Sequence, residues 1–337
     1  MSVIAIVGLG QIGSALCFVA AENGYEIRFI GTPVDGEVVA ECVRSGRHPK
    51  LDIPYPSGTS FYPCSRWQEA VAGADFVVGA ISSLGVEWFL REILVKLDPA
   101  VPVLSAAKGL TEGEDGSLVS FPEYWERALE KQGIRRPICA LGGPGTAYEI
   151  MHGVHTHVVL CGCETEQLQQ MKQALQTSWF HISLTEDAHG LEVAVAIKNA
   201  FALGVAMALG QAKQQRPELP HVNLQAAVFA QAAREMMLLL EMHQAGFNSA
   251  MIGIGDLFVT VTGARTRELG LLLGAGKSVS EARQLLGGVT LESLQVLYHL
   301  GRRLEDRSAF PLLSHILSVV ETDEMREFPW EAFTFQD

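Results

Sequence analysis

A glycine-rich segment, Gly8-Leu-Gly-Gln-Ile-Gly13, lies near the start of the chain between an apolar run and a helical pattern. The run before it, residues 2–7, is continuous and rich in β-branched residues, which predicts a strand buried on both faces. G-x-G-x-x-G at a strand–helix junction permits a tight turn, close approach of a ligand to the backbone, and close packing of helix on strand. The segment therefore predicts a dinucleotide-binding loop, with the phosphates at the helix N-terminus.

The rest of the chain changes character about halfway. Further strand-like runs occupy residues 25–30, 75–81, 101–106, 138–141 and 156–160. Beyond residue 188 the chain is Ala- and Leu-rich with helical spacing over residues 191–209, 224–244, 278–286, 291–304 and 310–320. Strands that alternate with helices indicate a parallel sheet. We therefore predict an α/β fold with an N-terminal Rossmann-type doubly wound parallel sheet, residues 1–185, and a C-terminal all-helical domain, residues 186–337.

Composition excludes some functions and locations. Asp and Glu number 38 against 25 Lys and Arg, a net charge of −13, which argues against nucleic acid as a partner but not against a small anionic substrate. The six cysteines form no C-x-x-C pair, which predicts reduced thiols and a cytoplasmic protein. Residues 1–21 are uncharged, but glycines interrupt them and no basic n-region precedes them. We read them as a buried strand and helix, and expect no membrane span.

Lys198 is the most unusual side chain, because it lies in a helix of small and apolar residues, 191–204. A lysine there is costly unless it is paired or neutral, which suits proton transfer; the alternative is an amine that reaches water along its stem. The neighbouring Asn199 suits either a substrate hydroxyl or a packing role. Asp256 lies among glycines and apolar residues, and beside Lys198 it would hold the charge of the ammonium.

Two further cations are candidates for a ligand site. Lys108 follows the strand at 101–106, and ligands bind outside the carboxyl ends of parallel strands; the alternative is a plain surface lysine. Arg265 offers a fork of donors suited to phosphate or carboxylate, whereas Arg267 and Glu268 are interpreted as a solvated face.

The type of nucleotide stays open. The acid that would hold an NAD ribose is expected at the end of the second strand, yet that strand ends Phe29-Ile-Gly-Thr32, with Asp35 and Glu37 beyond the usual place. No Arg or Lys follows the strand to bind a 2′-phosphate. Either NAD or NADP is therefore compatible with this segment.

Together these features resemble the NAD(P)-dependent glycerol-3-phosphate dehydrogenase family over nearly the whole chain. The resemblance rests on the glycine loop, Lys108-Gly109, Gly143-Pro144, Lys198-Asn199, Gly255-Asp-Leu257 and the Thr-Gly-x-Arg sequence that ends at Arg265. It implies that Lys198 is the catalytic acid/base, that Lys108, Asp256 and Thr260 complete the catalytic site, and that Arg265 binds the substrate phosphate. A small, phosphorylated polyol is then the expected substrate, most simply sn-glycerol 3-phosphate or dihydroxyacetone phosphate.

The resemblance also gives the remaining candidate residues. Those for substrate binding are Asn199, Arg265, Thr266 and Gly143. Those for cofactor binding are Gly8, Leu9, Gly10, Gln11, Ile12, Gly13, Thr32, Lys108, Arg265 and Glu292. The cofactor is NAD or NADP, and because hydride transfer needs no metal, we expect none. The Ala- and Leu-rich helices would suit a homodimer.

Departures from the family pattern bear on the substrate. The family usually has asparagine where this chain has Thr266, and a hydroxyl has one donor where an amide has two. The acid near Glu292 is displaced by one residue, Ser82-Ser83 replaces a Pro-Ser pair, and residues 211–222 are atypical. The alternatives are therefore the same chemistry on another polyol or hydroxy acid, or a dinucleotide sensor without turnover.

Two other patterns are discounted. His155 and His157 have the spacing of one strand face and could share a metal with His152 nearby, but we interpret them as surface residues. The aromatic tail, residues 328–335, is expected to pack onto its own domain or onto a second subunit, and Cys161 and Cys163 are read as small core residues.

Overall fold

The computed structural model describes residues 2–51, 53–114, 116–287, 292–304 and 306–333. The chain forms two compact units. The first comprises Met1–Lys108 and Val119–Ala188, and the second comprises Gly109–Leu118 and His189–Asp337.

The first unit contains most of the strands. These are β1 (Val3–Val7), β2 (Glu26–Ile30), β3 (Thr59–Tyr62), β4 (Phe76–Gly79), β5 (Val103–Ser105), β8 (Ile138–Gly142), β9 (Thr156–Cys161) and β10 (Phe180–Leu184). They form one sheet in the order β10-β9-β8-β5-β4-β1-β2-β3. A separate two-stranded sheet joins β6 (Leu110–Glu112) and β7 (Leu118–Ser120).

Helices cover both faces of the large sheet. They are α1 (Gln11–Glu22), α2 (Gly36–Ser45), α3 (Trp67–Val71), α4 (Val86–Trp88), which a π-helical turn (Phe89–Leu94) continues, α5 (Phe121–Glu130), α6 (Ala147–Met151) and α7 (Thr165–Leu175). Alternate residues of β1 enter opposite cores: Ile4 and Ile6 pack with α1 and α7, and Ala5 and Val7 pack with α3 and α5. Both faces of the sheet are buried at β1, as its unbroken apolar run predicts. The expected doubly wound sheet is confirmed.

The sheet is not wholly parallel, however. β9 runs antiparallel to β8, and β10 runs parallel to β9, so the prediction of a fully parallel sheet is wrong for these two strands. The connection from β8 to β9 contains only α6, whose five residues span about 7.5 Å, roughly half the length of a six-residue strand. A helix this short does not carry the chain back to the end of the sheet at which β8 begins. β9 therefore starts at the end where β8 finishes and runs antiparallel to it.

The strands β3 and β10 were not expected from the sequence. β3, Thr-Ser-Phe-Tyr, is short and half polar. β10, Phe-His-Ile-Ser-Leu, alternates buried and more exposed residues, which is the pattern of an edge strand with one solvated face. That alternation was readable in the sequence, although it differs from the continuous apolar runs of the central strands.

The second unit is a helical assembly around one long central helix. Its helices are α8 (Ala188–Gln215), α9 (Val222–Met242), α10 (Phe247–Thr262), α11 (Ala264–Gly274), α12 (Val279–Leu285), α13 (Glu292–Arg303) and α14 (Pro311–Thr322). The predicted helical character is confirmed for the described part of residues 189–337, and α10 and α11 are additions to it. The unit also includes β6, within residues 109–118, which the sequence assigned to the first domain. α8 is long and apolar enough to cross a membrane, but its most apolar window is entirely buried in the protein, as in a core helix.

Glycines let the helices of this unit approach α8 closely. A Cβ on Gly270 of α11 would lie 2.4 Å from the Cβ of Ala206, and one on Gly274 would lie 2.1 Å from the carbonyl oxygen of Met207. Glycine lowers intrinsic helix propensity, so residues 247–274 carry a weak local helical signal. Packing against α8 offsets that cost, which is why α10 and α11 form in the protein.

Two cysteines depart from the prediction of reduced thiols. Cys139 of β8 and Cys163, which follows β9, form a disulfide with their Cα atoms 5.0 Å apart. The antiparallel register places Ala140 opposite Cys161 and so brings the two sulfurs together. Because we expected no antiparallel pair, we did not foresee this juxtaposition. Cys161 is buried and lies outside the disulfide, as predicted.

The described part of the aromatic tail packs onto its own unit. Phe328 is buried, and its ring centroid lies 4.3 Å from that of His315 in α14. Trp330 lies in a 3-10 turn and contacts the rings of Phe328 and Phe333. The first of the two expected arrangements is thus confirmed through residue 333, and Phe335 lies outside the described residues.

Candidate active site

The glycine loop has the geometry of a phosphate-binding turn. Gly8 has φ +100°, and a Cβ there would lie 2.5 Å from the carbonyl oxygen of Ala80, so the turn requires glycine. A Cβ on Gly13 would lie 2.6 Å from the carbonyl oxygen of Gly8, which shows how closely α1 packs onto β1. At Gly10 a Cβ would meet only Ala80, at 3.9 Å. The protein itself therefore leaves room at Gly10, as expected where a bound group approaches the backbone.

The N-terminus of α1 is open to an anion. Gly10 is the N-cap, in an extended conformation, and no side chain caps the helix. The first N–H groups of a helix have no intrahelical partner and carry a partial positive charge. Gln11, Ile12 and Gly13 contribute these groups, so the predicted loop residues fit the pyrophosphate of a dinucleotide.

The turn after β2 brings an acid to the strand end. The Thr32 N–H and hydroxyl both donate to Oδ2 of Asp35, at 3.2 and 2.8 Å. Asp35 lies beyond the usual sequence position of a ribose-binding acid, but the turn folds its carboxylate back onto Thr32 at the end of β2. Both groups lie on the β2 side of the glycine loop, where Gly8 donates to the carbonyl of Ile30 at 2.8 Å.

His48 is a contact of the glycine loop that the sequence analysis missed. Its Nε2 lies 2.9 Å from the carbonyl oxygen of Leu9, and the side chain is 5% exposed. A histidine in a segment of Gly, Arg, Pro and Lys carries no local signal of burial, so only the fold identifies this contact.

Lys108 and Gly143 lie together at the ends of neighbouring strands of the first unit. The Nζ of Lys108 donates to the carbonyl oxygen of Gly143 at 2.9 Å, and Gly143 has φ +123°. β5 and β8 pair in parallel, so the residues that follow them meet at the same edge of the sheet. Lys108 is thus a half-buried, hydrogen-bonded residue and not a plain surface lysine.

Lys198 and Asp256 form a buried ion pair in the second unit. The Nζ of Lys198 contacts Oδ1 of Asp256, and the residues are 7% and 2% exposed. The prediction that Asp256 lies beside Lys198 is confirmed, and the alternative of an amine in open water is excluded. A buried lysine paired in this way keeps its charge within reach of a site while its geometry is fixed.

Small residues bring the two members of this pair together. A Cβ on Gly253 of α10 would lie 2.7 Å from the Cβ of Ala194 in α8 and 2.6 Å from Cε of Met236 in α9. Asp256 lies about one turn beyond Gly253, and Lys198 about one turn beyond Ala194. The helices therefore approach most closely one turn before the ion pair, and the acid reaches the lysine because both contact residues are small.

Other predicted residues surround this pair in sequence and are placed as follows. The Thr260 hydroxyl donates to the backbone carbonyl of Asp256 at 2.8 Å, which fixes the residue within α10. Asn199 and Thr266 are buried, and Arg265 is exposed on α11. Arg267 and Glu268 were interpreted together as a solvated face: Glu268 is exposed, whereas Arg267 is half-buried and donates to the carbonyl of Val261 at 2.6 Å near the end of α10.

The segment near Glu292 is described only in part. Glu292 is half-buried at the first residue of α13, whereas residues 289–291, which carry most of the expected departure from the family pattern, lie outside the described residues.

Two of the histidines considered for metal binding, His155 and His157, contact side chains of β10. Nδ1 of His155 lies 2.9 Å from Nε2 of His181, and Nε2 of His157 lies 2.8 Å from Oγ of Ser183. In the described part of the chain no group of three or more His, Cys, Asp or Glu side chains is arranged to hold a metal ion.

Comparison with known proteins covers both units. Residues 3–169 match the family model for the N-terminus of NAD-dependent glycerol-3-phosphate dehydrogenase, and residues 187–328 match the model for its C-terminus. A protein from Archaeoglobus fulgidus named NADP(+)-dependent glycerol-3-phosphate dehydrogenase is 30% identical over 84% of this chain and 83% of its own length. A glycerol-3-phosphate dehydrogenase [NAD(P)+] from Shouchella clausii is 27% identical over 90% and 88%.

The fold has a close counterpart among solved structures. The crystal structure of glycerol-3-phosphate dehydrogenase from Coxiella burnetii superposes with a TM-score of 0.82, covering 98% of this chain and 97% of that one, at 21% identity. At this identity the likeness concerns the fold alone.

Proposed function

Since the chain belongs to the NAD-dependent glycerol-3-phosphate dehydrogenase family, we propose that it transfers hydride between NAD(P)(H) and the secondary alcohol or ketone carbon of sn-glycerol 3-phosphate and dihydroxyacetone phosphate. The observation that carries the proposal is the buried Lys198–Asp256 pair, which supplies a fixed proton donor in a buried, mostly apolar stretch of α8. The open helix end at Gly10 supports the nucleotide part of the proposal. The first unit would bind the nucleotide, and the second would bind substrate and carry the acid/base.

The nicotinamide, when bound, would supply the hydride. The side chains of the protein would stabilise the developing charge and transfer the proton. In the reduction direction negative charge develops on the carbonyl oxygen of the substrate, and the ammonium of Lys198 donates a proton to it. Asp256 is a positioning residue, because its carboxylate keeps that amine protonated and fixes its direction. Lys108 adds electrostatic stabilisation of the developing charge.

Binding of the phosphate end orients the reacting carbon. Arg265, exposed on α11, presents a planar set of donors that matches a phosphate, and Asn199, Thr266 and Gly143 are the further substrate contacts that we propose. Thr266 has one hydroxyl where the family usually has an amide, so a panel of phosphorylated and unphosphorylated ketones tests the substrate directly. A preference for an unphosphorylated ketone would favour the same chemistry on another polyol or hydroxy acid.

We favour NADH over NADPH as the nucleotide. The carboxylate of Asp35 at the end of β2 suits a ribose diol and repels a 2′-phosphate. Cofactor binding at Thr32, Arg265 and Glu292 belongs to the same proposal. Parallel kinetics with NADH and NADPH check it, and in Asp35→Asn the preference for NADH should fall about tenfold.

The oligomer and the location complete the proposal. On α10, Phe247, Met251 and Phe258 are exposed along one face, which supports the expected homodimer; light scattering after gel filtration measures the mass. The apolar start of the chain folds as β1 and α1, in keeping with the expected cytoplasmic location.

The decisive test compares two lysines of the same helix. Lys198→Ala should lower kcat for dihydroxyacetone phosphate about a thousandfold and leave the dissociation constant of NADH unchanged, because the lost group acts on the substrate oxygen. Lys213→Ala, on the exposed last turn of α8, is the matched control and should have wild-type kinetics. Near-normal turnover in Lys198→Ala would remove the mechanism, and nucleotide binding without turnover of any ketone by the wild type would favour the sensor.

A further inference from the structure

A short closed loop lies against the glycine loop in the first unit. Its described residues are 46–51 and 53–55. The Tyr55 N–H donates to the carbonyl of Gly46 at 2.9 Å, and an antiparallel bridge joins Arg47 and Pro54, so the two ends of the loop are held together. Two of its side chains, His48 and Tyr55, reach the backbone or side chains of residues 9–14.

His48 uses both ring nitrogens. Its Nδ1 accepts the backbone N–H groups of Lys50 and Leu51, at 3.1 and 3.2 Å, so this nitrogen carries no proton. The proton is then on Nε2, which donates to the carbonyl oxygen of Leu9 at 2.9 Å. The ring is buried and fixed at both ends, with one end on its own loop and the other on the glycine loop.

The hydrogen bond to Leu9 determines where the next amide points. In a trans peptide the C=O and the following N–H point in opposite directions, and the described chain has no cis bonds. While Nε2 of His48 holds the Leu9 carbonyl, the Gly10 N–H is therefore directed away from the 46–55 loop. Gly10 is the N-cap of α1, so this N–H belongs to the set of donors at the open helix end.

A second contact of the same loop acts on the next peptide. The Gly10 carbonyl accepts from the N–H and the hydroxyl of Ser14, at 3.0 and 2.9 Å, and the Tyr55 hydroxyl lies 2.8 Å from that of Ser14. By the same trans geometry the Gln11 N–H points away from Ser14. The carbonyls of Leu9 and Gly10 thus both have protein partners, and the amides that follow them point away from those partners.

We propose that His48 is a positioning residue for the dinucleotide: it fixes the Leu9–Gly10 peptide so that the Gly10 amide faces the pyrophosphate before the nucleotide binds. This inference rests on the proposed function, because it assigns the pyrophosphate to this loop. A glycine-rich loop is the most flexible backbone, and holding it in the binding conformation lowers the entropic cost of binding. His48 supplies that order from a distant part of the chain.

Two substitutions separate the two contacts of the ring. In His48→Asn the amide oxygen takes the place of Nδ1 and keeps the loop turn at Lys50 and Leu51, but the side chain is too short to reach Leu9. In His48→Gln the amide nitrogen takes the place of Nε2 and restores a donor to Leu9. The asparagine variant therefore removes the contact with Leu9, and with it the proposed positioning role of His48, while it preserves the local fold. The glutamine variant restores the contact with Leu9.

The experiment measures ADP-ribose and NADH binding by calorimetry, thermal unfolding, and kinetics with dihydroxyacetone phosphate. We expect His48→Asn to raise both dissociation constants and the KM for NADH about tenfold, with kcat at saturating NADH within about twofold of wild type and an unchanged unfolding temperature. His48→Gln should recover most of the affinity. Tyr55→Phe should lose less, about threefold, because Ser14 still holds the Gly10 carbonyl.

Wild-type affinity in His48→Asn would overturn the inference. So would equal losses in the asparagine and glutamine variants together with a lower kcat, since that pattern indicates general disruption. If the wild type binds neither ADP-ribose nor NADH, the proposed function itself fails. If it binds both and reduces dihydroxyacetone phosphate while His48→Asn is unchanged, only the role of His48 fails.

Discussion

The two units form their candidate sites from different parts of the polypeptide. In the first unit the groups that would meet the nucleotide are mostly main-chain amides at the start of α1. The glycine loop gives access to them because its glycines have no Cβ. In the second unit the site consists of side chains, Lys198 and Asp256, on two helices whose backbones are fully used in helical hydrogen bonds. The first site therefore depends on positions that have no side chain, whereas the second depends on the side chains of Lys198 and Asp256.

This difference determines which substitutions each site tolerates. A backbone site is insensitive to the identity of residues such as Gln11 or Ile12, but a single added Cβ in the ligand's path damages it. A side-chain site depends on the charge and length of two residues and on the distance between their helices. The predictions below test this contrast, beginning with the largest effect.

After the loss of Lys198 itself, the largest effect is expected from the charge of Asp256. Asp256→Asn keeps the shape of the side chain but removes the charge that holds the Lys198 ammonium, so kcat should fall about three-hundredfold. The dissociation constant of NADH should not change, because the nucleotide is assigned to the first unit. Glu268 is an exposed acid on α11, so Glu268→Gln is the control and should change neither kcat nor the dissociation constant of NADH. A loss of NADH affinity equal to the loss of kcat would contradict the division of labour between the units.

The reciprocal effect is expected at Gly10. Gly10→Ala should weaken NADH binding about thirtyfold, because the new Cβ would occupy the space of the pyrophosphate while meeting only Ala80, at 3.9 Å, in the protein. Its unfolding temperature should stay near that of wild type. Gly36→Ala, where a Cβ has no atom within 4 Å, controls for adding a methyl group to a helix start. If Gly10→Ala binds NADH normally, the space at Gly10 does not belong to the ligand.

A smaller effect on the second site is expected from packing. Gly253→Ala would place a Cβ 2.7 Å from that of Ala194, so α10 must move away from α8. We expect a loss of about 1–3 kcal/mol in stability from the overpacked contact, and a fall of about tenfold in kcat as Asp256 retreats from Lys198. Thermal unfolding and kinetics measure the two. Normal kcat in a destabilised protein would mean that the ion pair does not depend on this contact.

The same contrast explains what the sequence revealed. The glycine loop is a local pattern: its strand and helix are found where the pattern places them, and Gly8 and Gly13 make the close backbone contacts that it predicts. Lys198 was identified by its surroundings, because a charge in an apolar helix needs a partner. The helix that carries Asp256 was not predicted, since Gly253 weakens the local signal for α10 and only its contact with α8 explains it.

The other misses have the same cause. The antiparallel β9 follows from the shortness of α6, and the Cys139–Cys163 disulfide follows from β9. Asp35 contacts Thr32, and His48 contacts the glycine loop, through turns whose geometry no single residue type encodes. These features depend on contacts between residues that are far apart in the sequence, so local sequence patterns do not predict them.

The smallest expected effect distinguishes the units by acid sensitivity. Burial and, to a lesser extent, Arg326 lower the pKa of His315 from 6.5 to about 4. The unfolded chain thus takes up a proton below pH 6.5 that the folded chain refuses until about pH 4, so stability is full above pH 6.5 and is lost as the pH falls between these values. Between pH 7 and pH 5 the cost should be on the order of 1 kcal/mol, and it should fall on the second unit, where Phe328 covers the ring.

His315→Phe should remove this part of the acid sensitivity. The Nε2 atom of His315 is buried and has no hydrogen-bond partner among the described residues, so phenylalanine forfeits no bond to them and keeps the ring contact with Phe328. Calorimetric unfolding at pH 7 and pH 5 should show a smaller downward shift in the variant than in wild type. His152→Phe, an exposed histidine of the first unit, is the control and should leave the shift unchanged. If His315→Phe unfolds with the wild-type pH dependence, then the acid sensitivity of the protein arises elsewhere, and His315 takes up its proton without opening the contact between α14 and the tail.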